Sequence, residues 1–394
     1  RGRIRRDHHR NRRNGEDAVV TGIRRSLDSV RKGGLHLRII HPRPNPIIAA
    51  MYTLRDMDVD VIVVHGPSGC GFMASRSLEQ AGVRVVTSAM SETDLIFGGS
   101  DRLVETLRTS YEMFRPRSVA VVGTCASMII GEDMEASIKR AGLDCNVFPV
   151  ESHGCMGDNT QGAIKALEAG RDAGMISAEE TERQIGLLKA ATAMERVSGL
   201  TSKSYLKPAQ GATKLRVCRK ICETLSSGGK VAVVMNAKKE LAYRFSDIFI
   251  AVDEARRKLG GSTFFVSNTD IEKGLPRIRK YSEDIMCQLK EKNIMVDAVV
   301  GGLDEYAVIG EKMRVEVDRY SPDLTVIVGI CHAYPGIGED DILITDQPRQ
   351  LSNYLDEGFL NSVGEISSHS MVMGTQRIIP METSETLREL VRGL

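Results

Sequence analysis

Residues 63–72, VVHGPSGCGF, decide how this chain is read. An apolar, β-branched run, VDVIVVH (59–65), ends at His65 and breaks into a turn of Gly66, Pro67, Ser68 and Gly69 that delivers Cys70. Glycines in such a turn let the backbone pass close to a neighbour or a ligand. If the run is a strand of an open parallel sheet, Cys70 stands beyond its carboxyl end, where ligands bind in such sheets.

The pattern repeats outward from this stretch. LRII (37–40), VRVVTSA (83–89), RSVAVVG (117–123) and DCNVFPV (144–150) are short apolar runs, with helical patterns at 47–56, 100–113 and 132–141. Runs without strict alternation predict strands covered on both faces, hence a parallel α/β sheet. Residues 160–226 turn helix-rich, with a capping box at Ser177 and Glu180. The alternation resumes with KVAVVMN (230–236), STFFVSN (262–268), VDAVVGG (296–302) and DLTVIVG (323–329). The expected organisation is a basic tail and amphipathic helix (1–36, the helix at 16–34), a first Rossmann-like domain (37–159), a helical segment (160–227) and a second Rossmann-like region (228–394).

Composition narrows the function classes. At 394 residues, with 42% apolar and 27% charged residues, the chain suits a globular protein of two domains. No apolar run reaches the roughly 18–20 residues of a membrane span. Eight cysteines without a secretory pattern predict a reducing, cytoplasmic setting and free thiols or cluster ligands rather than disulfides. Residues 1–14 hold seven Arg and one Asp against a whole-chain charge of +1. With no basic surplus in the body, that tail reads as a solvated extension, and nucleic acid is not expected as a partner.

Nucleotide chemistry finds no support: neither a G-x-G-x-x-G fingerprint nor a G-x-x-x-x-G-K-[ST] loop is present. If ATP matters, another protein hydrolyses it. Cysteine placement says more. Cys70 and Cys125 each follow a predicted strand in turns carrying Gly69 and Gly123, which would let backbone approach a cluster and donate to its sulfurs. The competing reading of either alone is a buried small hydrophobe. Cys218 and Cys222 share a helix face with Leu215 and Leu225 and read as core; Cys145 and Cys287 read as packing; Cys155 and Cys331, at strand ends, stay open. His41, His65 and His332 end strands, where a ligand role and a side chain satisfied by backbone are both reasonable.

Four stretches then point to a family. HGPSGCGF (65–72), SETDLIFGGSDRL (91–103), GTCASMIIGEDMEA (123–136) and FPVESHGCMG (148–157) keep the order and approximate spacing of motifs in the nitrogenase component 1 family, which the chain resembles over residues 60–160. Members with the larger P-cluster carry a further cysteine upstream, where this chain reads HPRPNPIIAAMYTLRD (41–56). That opening is similar to the branch whose members reductively cyclise Ni-sirohydrochlorin a,c-diamide in coenzyme F-430 biosynthesis. The resemblance implies a homodimer, a nickel tetrapyrrole substrate, and electrons from a nitrogenase-reductase-like, ATP-hydrolysing iron–sulfur partner. It implies Cys70 and Cys125 as ligands of a [4Fe–4S] cluster shared between two chains, with Cys155 in reserve if each chain holds its own. His41, His65, Glu92, Asp94, Glu151 and His153 become proton-donor candidates, and Arg43 a partner for substrate carboxylates. A metallocluster scaffold and a non-catalytic tetrapyrrole-binding protein are the alternatives.

Overall fold

The computed structural model describes residues 45–155, 159–198, 212–239, 241–304, 309–346, 348–365 and 376–394. The expected tail, the helix at 16–34, the strand at 37–40 and the candidates His41 and Arg43 lie outside these residues.

The apolar runs form two parallel sheets. The first contains β1 (Val61–His65), β2 (Arg84–Thr87), β3 (Ser118–Gly123) and β4 (Asn146–Val150) in the order β2-β1-β3-β4. Every residue of β1 and β3 is buried, as central strands covered on both faces require. Register sets Val64 beside Val122 and His65 beside Gly123, so the turns after β1 and β3 leave the sheet side by side.

The second sheet contains β5 (Lys230–Asn236), β6 (Ser262–Ser267), β7 (Ala298–Val299), β8 (Leu324–Gly329), β9 (Ile342–Thr345) and β10 (Ser362–Gly364), in the order β10-β9-β8-β5-β6-β7. The run at 296–302 is therefore a two-residue edge strand, and β9 and β10 extend the sheet beyond the four expected strands.

The residues between the sheets are divided rather than set apart. Helix Asn159–Asp172 lies on helix Pro46–Asp56 so closely that a Cβ on Gly162 would sit 1.9 Å from the Pro46 carbonyl oxygen. Helix Ala212–Ser226 instead buries Val217, Cys218, Ile221, Cys222 and Leu225, and the Cys218 thiol donates to the Thr383 carbonyl at 3.3 Å. Between them, helix Ala178–Ser198 starts at Ser177, whose hydroxyl accepts the Glu180 N–H. The Glu180 carboxylate turns to Arg183, which also grips Asp304 with two 2.8 Å bonds.

One contiguous apolar core runs from Met51 and Leu54 through Val122 to Val231 and Phe249, so the two sheets are welded along it. Charges reinforce the seam: Asp58 pairs with Arg277 at 2.9 Å, and Lys239 with buried Asp56. Among the described residues, no helix is long and apolar enough to cross a membrane.

Candidate metal centre

The carboxyl edge of the first sheet gathers the thiols. Cys70 closes the turn after β1, its N–H donating to the Pro67 carbonyl at 3.0 Å, and is half-buried against the core. Gly71 follows with φ 87°, a left-handed conformation that opens helix Phe72–Gln80 and that a side chain would strain. Cys125 follows β3, directly after Thr124. Thr124 is fully buried and donates its hydroxyl to the His65 carbonyl at 3.0 Å. One threonine thus ties together the two turns that carry the cysteines.

Burial pushes the Cys70 thiol up, and the nearby Cys125 sulfur adds to the shift. Cys155 arrives from the turn after β4, its Sγ 3.9 Å from that of Cys125. The Cys125 contact holds the Cys155 thiol above its ordinary value. The Gly154 N–H donates to Cys125 Sγ at 3.0 Å, and His153 completes a group whose ligand atoms lie within 4.8 Å of one another.

The glycines divide by role. A Cβ on Gly123 would meet Met128, Met134 and the Ser152 carbonyl at 3.2–3.3 Å, so packing inside the chain already makes that position tight. Nothing lies within 4 Å of a Cβ on Gly69, which leaves that turn open to an approaching group.

The remaining sequence candidates separate. His65 is fully buried, its Nδ1 3.0 Å from Ser88 Oγ and its Nε2 3.6 Å from Glu132. Burial lowers its pKa, against the pull of Glu132. Its ring is shielded inside the fold rather than presented at the edge. Asp94 is occupied as a helix cap: its carboxylate accepts the Ser91 N–H and hydroxyl at 2.7 Å, and those bonds hold its pKa low. Glu92 and Glu151 are exposed and His153 is half-buried.

Outside the edge, Cys218, Cys222 and Cys331 are buried and Cys145 is half-buried, in keeping with core roles. Cys287, expected to pack, is exposed. It falls off the stripe of Ile278, Ser282, Ile285 and Leu289 that its helix buries.

Three further residues support the site, though nothing in the sequence pattern singles them out: Thr124, Gly154 and Glu132. Glu132 accepts the Gly99 N–H and faces His65, joining the turn before Ser100 to the end of β1. Its place in the stretch IIGED is a signal of family rather than of this role.

Cys70 and Cys125 fit iron–sulfur ligation. Both are accessible thiols on adjoining turns, with a backbone N–H aimed at one sulfur and an open glycine beside the other.

Comparison with known proteins shows the family of the chain. The family model described as Nitrogenase component 1 type Oxidoreductase matches residues 45–247. The CfbD component of the Ni-sirohydrochlorin a,c-diamide reductive cyclase complex from Methanothermobacter thermautotrophicus is 42% identical, over 90% of this chain and 99% of that protein. The CfbD component from Methanosarcina acetivorans is also 42% identical, over 90% and 98% respectively. A solved structure titled "Nitrogenase Cp1 at pH 6.5" superposes with a TM-score of 0.31 at 13% identity, covering 92% of this chain and 96% of that one. The sequence matches, spanning both sheets and the cysteine-bearing turns, establish that the chain belongs to the nitrogenase component 1 type oxidoreductase family.

Proposed function

We propose that this chain is the cluster-bearing catalytic component of a reductive cyclase acting on Ni-sirohydrochlorin a,c-diamide in coenzyme F-430 biosynthesis. Electrons come from an ATP-hydrolysing, nitrogenase-reductase-like iron–sulfur partner. The observation that carries this reading is the pairing of Cys70 and Cys125 on turns locked by Thr124, in a chain similar to reductive cyclase components over nine-tenths of its length.

Two cysteines are half the usual ligand set of a [4Fe–4S] centre, so two chains related by a two-fold axis would each supply Cys70 and Cys125. Exposed apolar side chains support a protein partner at this edge. Phe72, Ile96, Phe97 and Ile129, which follow three adjacent strands, are 72%, 74%, 84% and 81% exposed. A monomer rarely leaves such residues gathered without a contact to cover them.

A bound cluster supplies one-electron transfer. This chain's own residues hold it, exclude water and deliver protons. Thr124 keeps the two cysteine turns in register, and the Gly154 N–H holds the Cys125 sulfur in place. Asp94, held ionised by its cap bonds, is a poor acid at neutral pH, and His65 is walled off. Proton delivery therefore falls to Glu92, Glu151 or His153 at the open edge. Arg43 is assigned to the carboxylates of the substrate, and His41 is a further donor candidate.

The test is anaerobic turnover of the nickel tetrapyrrole with the reductase partner and ATP, followed by absorbance. Conversion that requires the partner, ATP and Cys70 supports the reading. Binding without conversion favours a tetrapyrrole-binding protein, and transfer of iron to another protein a scaffold; either result overturns it.

A further inference from the structure

The cluster assignment leaves one arrangement unused. Cys125 Sγ and Cys155 Sγ are 3.9 Å apart, and both lie within 4.8 Å of a His153 ring nitrogen. Two thiolates bound tetrahedrally to one ion at about 2.3 Å stand about 3.8 Å from each other. Thiolates on two different irons of one cluster stand farther apart, because the irons and a bridging sulfide lie between them. The spacing therefore suits a single ion.

The ligands are held ready. The Gly154 N–H donates to Cys125 Sγ at 3.0 Å, fixing where that sulfur sits, and a Cβ on Gly154 would crowd it at 3.2 Å. Cys155 is exposed while Cys125 and His153 are half-buried, which gives an ion a way in from solvent.

We infer that Cys125, His153 and Cys155 form a site for one thiophilic divalent cation, Fe2+ or Zn2+, in each cluster-free chain. Two thiolates and an imidazole are the ligand types such ions take, with the fourth position left to water. Binding releases the two thiol protons to solvent and involves no change of oxidation state. The site goes beyond the cluster assignment and does not depend on it. Because Cys125 belongs to both ligand sets, a bound ion and a cluster exclude one another.

Cobalt(II) titrated anaerobically into reduced, cluster-free protein reads the site through thiolate-to-cobalt charge-transfer absorbance. One cobalt per chain is expected. His153→Ala and Cys155→Ala should each weaken binding by more than about tenfold, while Cys70→Ala leaves it intact. Cys155→Ala should still take up a full complement of iron on cluster reconstitution, and zinc loaded beforehand should slow that uptake in the wild type. Cobalt binding unchanged in Cys155→Ala, lost equally in Cys70→Ala, or accompanied by loss of cluster iron in Cys155→Ala overturns the inference. A Cys70→Ala protein that retains a full complement of both iron and acid-labile sulfide would instead sink the cluster assignment and leave this site standing.

Discussion

Gly66→Ala puts the join between the two cysteine turns under strain. A Cβ at Gly66 would lie 2.2 Å from Thr124 Oγ1, 2.7 Å from its Cγ2 and 2.9 Å from its Cβ. Thr124 is fully buried and its hydroxyl is committed to the His65 carbonyl at 3.0 Å, so it cannot swing aside without breaking that bond. Overpacking costs about 1–3 kcal/mol and a lost hydrogen bond about 1 kcal/mol, giving about 2–4 kcal/mol for Gly66→Ala. Thr124→Ala removes the hydroxyl and methyl and costs about 1–2 kcal/mol by itself. In the double variant the new methyl faces only the 2.9 Å Cβ contact, so the combined loss should fall short of the sum. A coupling of about 1–2 kcal/mol is expected for residues in such contact. Urea unfolding of the four proteins measures it, and iron uptake shows whether displaced turns still hold a cluster. Strict additivity, or Gly66→Ala with a wild-type midpoint and full iron, would refute the reasoning.

Other consequences follow from burial. His332 is 8% exposed, and burial, aided by the Lys238 charge, holds its pKa down to about 3 from the ordinary 6.5. The folded state keeps it neutral while the unfolded chain protonates, so its contribution is present above pH 6.5 and is lost as pH falls toward 3. Between pH 7 and pH 5 this is about 2 kcal/mol, and the unfolding free energy of His332→Gln from urea titration should fall over that interval by about that much less than that of wild type. Equal pH sensitivity would contradict the assignment. Alkylation of native, cluster-free protein followed by mass spectrometry should modify Cys155 and Cys287 first. Cys218 and Cys331, whose thiols burial pushes up to about 12, should react last, and early labelling of either would contradict their place in the core.

The fold was legible wherever burial on both faces leaves a continuous β-branched run. Residues 230–236 were expected as a strand and form β5 with those bounds, and β3 begins one residue inside its expected start. β9 and β10, of four and three residues, are too short to stand out from turn-rich surroundings, since neighbouring strands rather than their own pattern define them. Cys70 and Cys125 could be placed at one edge because each follows a run that ends in a glycine-bearing turn. The fate of His65 could not be read in the same way. A strand end fixes where a side chain starts, whereas Ser88, 23 positions later, and Glu132 decide that it lies buried. The meeting of Cys125 and Cys155 depends on β3 pairing with β4, a long-range register that local pattern does not encode. Cys287 was readable after all, because it lies between the three-to-four spaced positions that its helix buries.

The central claim is that Cys70 and Cys125 hold an iron–sulfur centre between two chains. Iron and acid-labile sulfide, measured per chain after anaerobic reconstitution and gel filtration, test it most directly. Wild type and Cys218→Ala should each carry about four irons and four sulfides per two chains; Cys125→Ala should carry neither, and Cys70→Ala no acid-labile sulfide and no more than about one iron per chain. A Cys70→Ala protein with a full complement of iron, or a wild type with twice the expected iron per dimer, would contradict it.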